Sequence, residues 1–264
     1  MSNFLDPVPT WVVMLASGLL IFATSELGFR VARGKAAAAK AHEPSFLLQG
    51  AAFTLLALLM GFSFSMALGR YDARRGALMR EANAIATTYY RADLLDPKTA
   101  AAERQALRSY IATRIEFARA DAQPQRRAAA DAESARLQRL LWHLTDRAAE
   151  RDPHSTMVPL FVAALNDTIN LSTEQRVVLN NHIPDVVIAW LLLIALIGAL
   201  MLGYGFGREG NHAIVFKAIF AVMVALVFGL VLDLDRPQRG IIRVNLAPLQ
   251  SVQAGRRKAN GRRA

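Results

Sequence analysis

The sequence has 264 residues, of which 53% are hydrophobic, and it carries 31 Lys and Arg residues against 21 Asp and Glu residues. Its mean hydropathy of +0.24 is too high for an ordinary soluble domain. The absence of cysteine excludes disulfides, thiolate metal sites and cysteine nucleophiles. The five histidines lack the close spacing of a metal site. We therefore expect no metal, no cofactor and no catalytic residues, and the protein is predicted not to be an enzyme.

Four apolar stretches are almost free of charge: residues 11–29, 45–68, 186–207 and 213–232. A hydrocarbon core of about 30 Å requires about 20 helical residues, so each stretch is long enough to cross a bilayer. They predict an all-α polytopic membrane protein with one helix pair in residues 1–69 and another in 184–235. The first stretch follows an N-terminal segment without Lys or Arg, so we expect a membrane helix there and not a cleaved signal peptide.

The segment between the two pairs, residues 70–183, is polar and rich in Ala, Arg, Leu and Glu. This composition predicts helices throughout, and three Asp-Pro or Gln-Pro steps divide it into about four of them. The first is expected to continue directly out of the second membrane helix. Apolar residues at helical spacing predict the core of a cytoplasmic bundle: Leu107, Tyr110, Ile111 and Ile115, then Leu137, Leu140, Leu141 and Leu144.

The C-terminal segment, residues 236–264, has eight basic residues and no acidic ones. Such a tail favours anionic lipid headgroups as a partner. Nucleic acid is not expected, because no recognisable binding fold accompanies the tail. Counting basic residues beside the four stretches places both termini and the middle domain in the cytoplasm, although the basic first loop argues for the opposite orientation.

Small residues recur every four positions along three of the predicted membrane helices. Such stripes let helix backbones approach closely in lipid, either within one chain, which is the simpler interpretation, or between chains. The stripes are Ala57, Gly61, Ser65 and Gly69; Ala195, Ala199, Gly203 and Gly207; and Ala221, Ala225 and Gly229.

Ionisable residues in or beside the membrane helices are candidates for function, because charge is costly there. Glu26 precedes Arg30 by four residues, which predicts an ion pair on one helix face and, as the alternative, a gating charge. Lys217 is expected to extend its ammonium to the membrane surface. A charged junction after the fourth stretch predicts a salt-bridge cluster or an ion exit; its members are Asp233, Asp235, Arg236 and Arg239.

Three parts of the chain resemble a group of mainly bacterial membrane proteins known as bestrophin-like. They read GFSFSMAL at 61–68 with RYDARR at 70–75, EANAI at 81–85 with YRADLL at 90–95, and DLDRPQRG at 233–240 with IRV at 242–244. The resemblance implies a bacterial inner-membrane protein. Bestrophins are pentameric anion channels with a pore lined by the second helix, which would bring Met60, Phe62, Phe64 and Ser65 to the pore or its gate. Some bestrophins bind calcium at an acidic run just after the fourth membrane helix. Here only Asp233 and Asp235 precede the basic tail, so calcium gating is not expected.

Two functions are consistent with these features. The leading hypothesis is a homo-oligomer, pentameric by analogy, that conducts small ions with a slight preference for anions. The alternative is a non-conducting scaffold or sensor whose helical domain docks a cytoplasmic partner, because the polar segment is larger than a simple pore requires.

Overall fold

The computed structural model of the protein describes residues 8–35, 45–120, 123–235 and 244–260. These residues form helices and no strands. In chain order they are α1 (Thr10–Lys35), α2 (Ser45–Arg91), a 3₁₀ turn (Ala92–Leu94), α3 (Pro97–Arg119), α4 (Pro124–Arg151), α5 (Val158–Asn180), α6 (Asp185–Arg208), α7 (Ile214–Asp235) and α8 (Ala247–Asn260).

Four of the described helices are long and apolar enough to cross a membrane. They are α1, the first part of α2, α6 and α7, which agrees with the four apolar stretches of the sequence. Helix α2 continues for 47 residues without a break, so the expected continuation of the second membrane helix into the polar segment is confirmed.

The chain divides into two compact units. The first unit comprises Met1–Arg70 and His182–Ile242 and contains the apolar helices. The second comprises Tyr71–Asn181 and Arg243–Ala264 and contains the polar helices.

Glycines allow α1 and α6 of the first unit to pack with their backbones in contact. A Cβ atom at Gly203 of α6 would overlap the backbone carbonyl of Ser25 on α1, and one at Gly207 would lie 2.6 Å from the carbonyl oxygen of Phe29. Glycine removes the side chain that would separate the two helices. On α7, Gly229 packs against a side chain of α1, since a Cβ there would lie 2.8 Å from Sδ of Met14. The small-residue stripes of α6 and α7 therefore pack within the chain.

Pro97 and Pro124 begin helices α3 and α4 of the second unit. Oδ1 of Asp96 accepts hydrogen bonds from the backbone N–H groups of Lys98 and Thr99, both at 3.1 Å, and Pro97 takes the first helical position of α3. This satisfies donors that the first turn of a helix otherwise leaves unpaired. Helix α4 likewise begins at Pro124.

The core of the second unit contains most of the predicted apolar residues. Leu107, Tyr110 and Ile111 of α3 have no exposed surface, and Leu137 and Leu141 of α4 are also buried. Leu140 was expected in the core but is 37% exposed, because the buried face of α4 passes through Leu137 and Leu141 and leaves Leu140 to one side.

The basic C-terminal segment contributes to this core. Val244 and Leu249 are buried in one apolar cluster with Leu78, Ile85 and Ile111. The side chain of Asn245 accepts a hydrogen bond from the backbone N–H of Ala247 at 2.8 Å and so begins α8. Residues 244–252 are thus an integral part of the second unit.

Candidate functional site

One face of the apolar part of α2 is uncovered by any described helix of the chain. The covered face consists of Leu56, Met60, Ser63 and Ala67, spaced three or four residues apart and all less than a tenth exposed. The opposite face is exposed and runs through Leu58, Gly61, Ser65 and Gly69. A Cβ atom added at Gly61 or Gly69 would meet nothing within 4 Å. The small-residue stripe of α2 therefore differs from those of α6 and α7, since it contacts no described part of its own chain.

The four candidate pore residues do not share one face of α2. Phe62 is 62% exposed and Ser65 is also exposed, on neighbouring parts of the uncovered face. Phe64 is half-buried, and Met60 lies on the covered face with 8% of its surface exposed. The geometry directs Phe62 and Ser65 outward from the chain and Met60 inward.

A charged cluster joins α1 to the beginning of α7. Oε1 of Glu26 accepts a hydrogen bond from Nε of Arg30 at 3.2 Å, which confirms the predicted ion pair. Oε2 of the same carboxylate accepts from Nζ of Lys217 at 2.7 Å, and Nε2 of His212 lies 3.2 Å from Oε1. Glu26 is therefore the common partner of three basic side chains, which come from α1, from α7 and from the connection between α6 and α7.

The Lys217 side chain packs inside the protein instead of extending to its exposed surface. Its side chain has no exposed surface, and its Nζ lies 4.5 Å from the centroid of the Phe29 ring. The Glu26 carboxylate and the aromatic face supply the ammonium with partners inside the protein, so it does not need contact with water. The sequence showed Glu26 and Lys217 separately, but their 191-residue separation hid the pairing.

A second charged junction lies at the opposite end of the first unit's helices. The carboxylate of Asp235 is buried and accepts hydrogen bonds from the backbone N–H of Ile183 at 3.0 and 3.2 Å. The Arg70 guanidinium lies 3.6 Å from the same carboxylate, and a ring nitrogen of His182 lies 3.2 Å from the Asp235 carbonyl oxygen. The junction therefore connects α2, the segment before α6 and the end of α7.

Only part of this junction was predicted. Asp233 and Asp235 are both buried, and Arg236 and Arg239 lie outside the described residues. Arg70 and His182 were missed as partners. Arg70 is the first charge after the second apolar stretch, and this position was the signal that could have pointed to it.

The second unit contains a buried polar network that the sequence pattern did not predict. Nε of Arg114 donates to Oε1 of Glu81 at 2.5 Å, and neither side chain is exposed. Arg114 also donates to the side-chain oxygen of Gln175. The network therefore connects α3 with α2 and α5.

Glu103 is a second buried carboxyl group in the second unit. It has no exposed surface, and Oε1 accepts a hydrogen bond from the Thr145 hydroxyl at 2.9 Å. Burial raises the pKa of Glu103 to about 8, against the smaller lowering by the Thr145 hydrogen bond. The carboxyl group is therefore mostly protonated at neutral pH.

Within residues 8–35, 45–120, 123–235 and 244–260, no three His, Asp or Glu side chains are arranged to hold a metal ion. The charged residues of the first unit form pairs and junctions between helices. Together with the four apolar helices, these features define a polytopic α-helical membrane protein whose α2 exposes Gly61, Ser65 and Gly69 among larger apolar side chains.

Comparison with known proteins gives the family. The model of the bestrophin-like domain matches residues 45–249, and the chain belongs to the bestrophin-like family. Two solved point variants of a bacterial bestrophin homologue from Klebsiella pneumoniae have similar folds. One has a TM-score of 0.67 at 12% identity and covers 91% of this chain and 96% of its own. The other has a TM-score of 0.66 at 14% identity and covers 94% and 99%. No curated protein sequence matches significantly.

Proposed function

We propose that the protein is a homo-oligomeric ion channel of the bacterial inner membrane, with the uncovered face of α2 lining the pore. The observation that carries the proposal is the composition of that face. A helix face in contact with lipid alone is expected to be uniformly bulky and apolar, but this one carries Gly61, Ser65 and Gly69. Small and polar side chains leave room for water and ions when several copies surround one axis.

Phe62 is the proposed constriction. Its ring is 62% exposed on the same side of α2 as Ser65, so several copies would bring a ring of aromatic side chains around the axis. Hydrophobic constrictions gate channels by excluding water. Bestrophin kinship favours a pentamer, and we propose that anions pass slightly better than cations. The basic segment after α7 would lie on the cytoplasmic side near anionic lipids, with both termini and the second unit.

The absence of cysteine allows a direct test by single-cysteine labelling. Purified Ser65→Cys protein in liposomes is treated with a charged, membrane-impermeant thiosulfonate while chloride or potassium flux is recorded. We expect labelling to reduce flux, because the added charge and bulk enter the pore. Leu19→Cys is the matched control, since Leu19 is 70% exposed on α1, a helix that packs against α6 and α7. Equal loss of flux in both variants would contradict a pore on α2.

A second variant tests the constriction. Phe62→Ala is expected to raise the flux, because a smaller side chain lowers the barrier to wetting the pore. Flux no greater than that of empty liposomes, from a well-folded oligomer and from Phe62→Ala alike, would overturn the channel proposal.

A scaffold or sensor is the second candidate, and exposed aromatic and aliphatic side chains in the second unit favour it. Tyr90 is 71% exposed, Val177 63% and Trp142 44%, all outside the apolar helices. Aromatic residues such as Tyr and Trp are enriched at protein interfaces. Co-purification of a stoichiometric partner without ion flux would favour this function. Partner binding lost in Trp142→Ser would locate the surface.

A further inference from the structure

An apolar groove runs between α1 and α7 in the first unit. Its volume is about 270 Å³, and its walls are apolar along their whole length. Leu15, Leu19 and Phe22 of α1 form one wall, and Ala218, Val222 and Leu226 of α7 form the other. At the bottom the helices are close together, since a Cβ at Gly18 would lie 3.2 Å from Cβ of Ala225. Small residues therefore form the base of the groove, and larger side chains form its two sides.

The groove has the dimensions of one hydrocarbon chain. From Met14 to Phe22 the α1 wall extends about 12 Å at 1.5 Å per residue, and α7 runs beside it over a similar length. The volume is at the lower limit for a small-molecule pocket, which fits a single chain better than a ring system. Because both helices are apolar enough to cross a membrane, the groove opens toward acyl chains. An empty groove would forfeit dispersion contacts that an acyl chain supplies.

The charged cluster lies one turn beyond the end of this groove. Leu19, Phe22, Glu26 and Arg30 follow one another at spacings of three or four residues, so they share a face of α1. On α7, Lys217 precedes the groove residue Ala218 and binds Glu26. The acyl groove is therefore continuous with a charged group at one membrane face.

This charged group is positive overall and partly open to solvent. Two cations, Lys217 and Arg30, lie against the single carboxylate of Glu26, and His212 adds charge when it is protonated. The Arg30 side chain uses Nε for Glu26 and remains 75% exposed. A guanidinium with exposed N–H groups is well suited to a phosphate.

We propose that the α1–α7 groove binds one acyl chain of an anionic phospholipid, with the phosphate held by Arg30 beside His212. Such a site requires α1 and α7 to lie in a membrane and does not require ion conduction. Glu26 holds the Arg30 side chain through its Nε, and the groove holds the acyl chain beside it.

Native mass spectrometry of the purified full-length protein tests the site. Phosphatidylglycerol and phosphatidylcholine with identical acyl chains are added in turn, and the lipids retained per protomer are counted. We expect wild type to retain one more phosphatidylglycerol than phosphatidylcholine. Ala218→Leu fills the groove and is expected to lose that lipid. Ala23→Leu is the matched control, because Ala23 is exposed on α1 and does not line the groove.

Separate variants test the headgroup. Arg30→Gln is expected to remove the preference for phosphatidylglycerol, whereas Arg136→Gln on α4 of the second unit is expected to leave it unchanged. If Ala218→Leu fails to fold, Val222→Trp blocks the groove from its 55% exposed rim and gives a second measurement. Retention of phosphatidylglycerol by the folded groove-filling variant at the wild-type level would overturn the proposal. Efficient cross-linking of Val222→Cys between copies would also overturn it, because a second chain would then cover the groove.

Discussion

Nζ of Lys217 lies 2.7 Å from Oε2 of Glu26, across the interface between α7 and α1, and the lysine side chain is completely buried. The Phe29 ring lies 4.5 Å from the same ammonium, so the charge sits among groups that can stabilise it. Removing Glu26 leaves the buried Lys217 ammonium without its carboxylate, whereas removing Lys217 leaves Glu26 with Arg30 and His212. The effect of removing Glu26 should therefore depend on whether Lys217 is present.

Glu26→Gln is expected to lower the free energy of unfolding by about 3 kcal/mol, because it leaves the buried Lys217 ammonium without a carboxylate. The double variant Glu26→Gln, Lys217→Met should recover most of this loss. Thermal unfolding of the purified protein in one detergent, followed by tryptophan fluorescence, measures both. Additive losses in the double variant would show that the two side chains do not interact.

The close contact of α6 with α1 predicts that a glycine at the contact cannot be replaced by alanine. Gly203→Ala should reduce the yield of monodisperse protein severely, because the new methyl group would overlap the Ser25 carbonyl. Gly61→Ala on α2 is the matched control, since nothing lies within 4 Å of a Cβ there. Size-exclusion chromatography of the two variants provides the measurement. Similar profiles would mean that α1 and α6 are further apart than described.

Much of the fold could be predicted from the sequence, because membrane spans depend on composition over about 20 residues. The glycine stripe of α6 was also visible in the sequence, but the helix it contacts was not. Pairings across long separations, such as Glu26 with Lys217 or Arg70 with Asp235, depend on helix rotation and packing, which local patterns do not specify. Helix rotation also explains why the pore candidates lie on different faces of α2. Met60 and Phe62 are two residues apart, which places them about 200° apart around the helix.

The buried carboxyl group of Glu103 makes the stability of the second unit dependent on pH. Its pKa is about 8 in the folded protein, against a usual value of 4.5, so the folded state holds a proton that the unfolded state has lost between these values. The free energy of unfolding should therefore fall as pH rises from about 4.5 to about 8, by up to roughly 5 kcal/mol.

Glu103→Gln removes the titrating group and keeps an oxygen for the Thr145 hydroxyl. We expect this variant to be more stable than wild type at pH 8 and to lose most of the fall in stability between pH 5 and pH 8. Chemical unfolding of the full chain, followed by circular dichroism at several pH values, provides the comparison. Glu133→Gln is the control, because Glu133 is 43% exposed on α4. A slope in the Glu103 variant as steep as that in wild type would contradict the assignment.

The last prediction concerns the Arg70–Asp235 junction at the other end of the first unit's helices. Asp235→Asn keeps the shape of the side chain but removes the negative charge that faces Arg70 at 3.6 Å. The amide oxygen can still accept the Ile183 N–H, so the backbone contact should survive while the ionic one is lost. We expect a loss of about 1–3 kcal/mol in the free energy of unfolding. Asp235→Ala should cost more, because it also leaves the Ile183 N–H unpaired. Thermal unfolding of both variants tests this order. If Asp235→Asn and Asp235→Ala were equally destabilised, the ionic contact would account for the whole effect and the backbone bond for none of it.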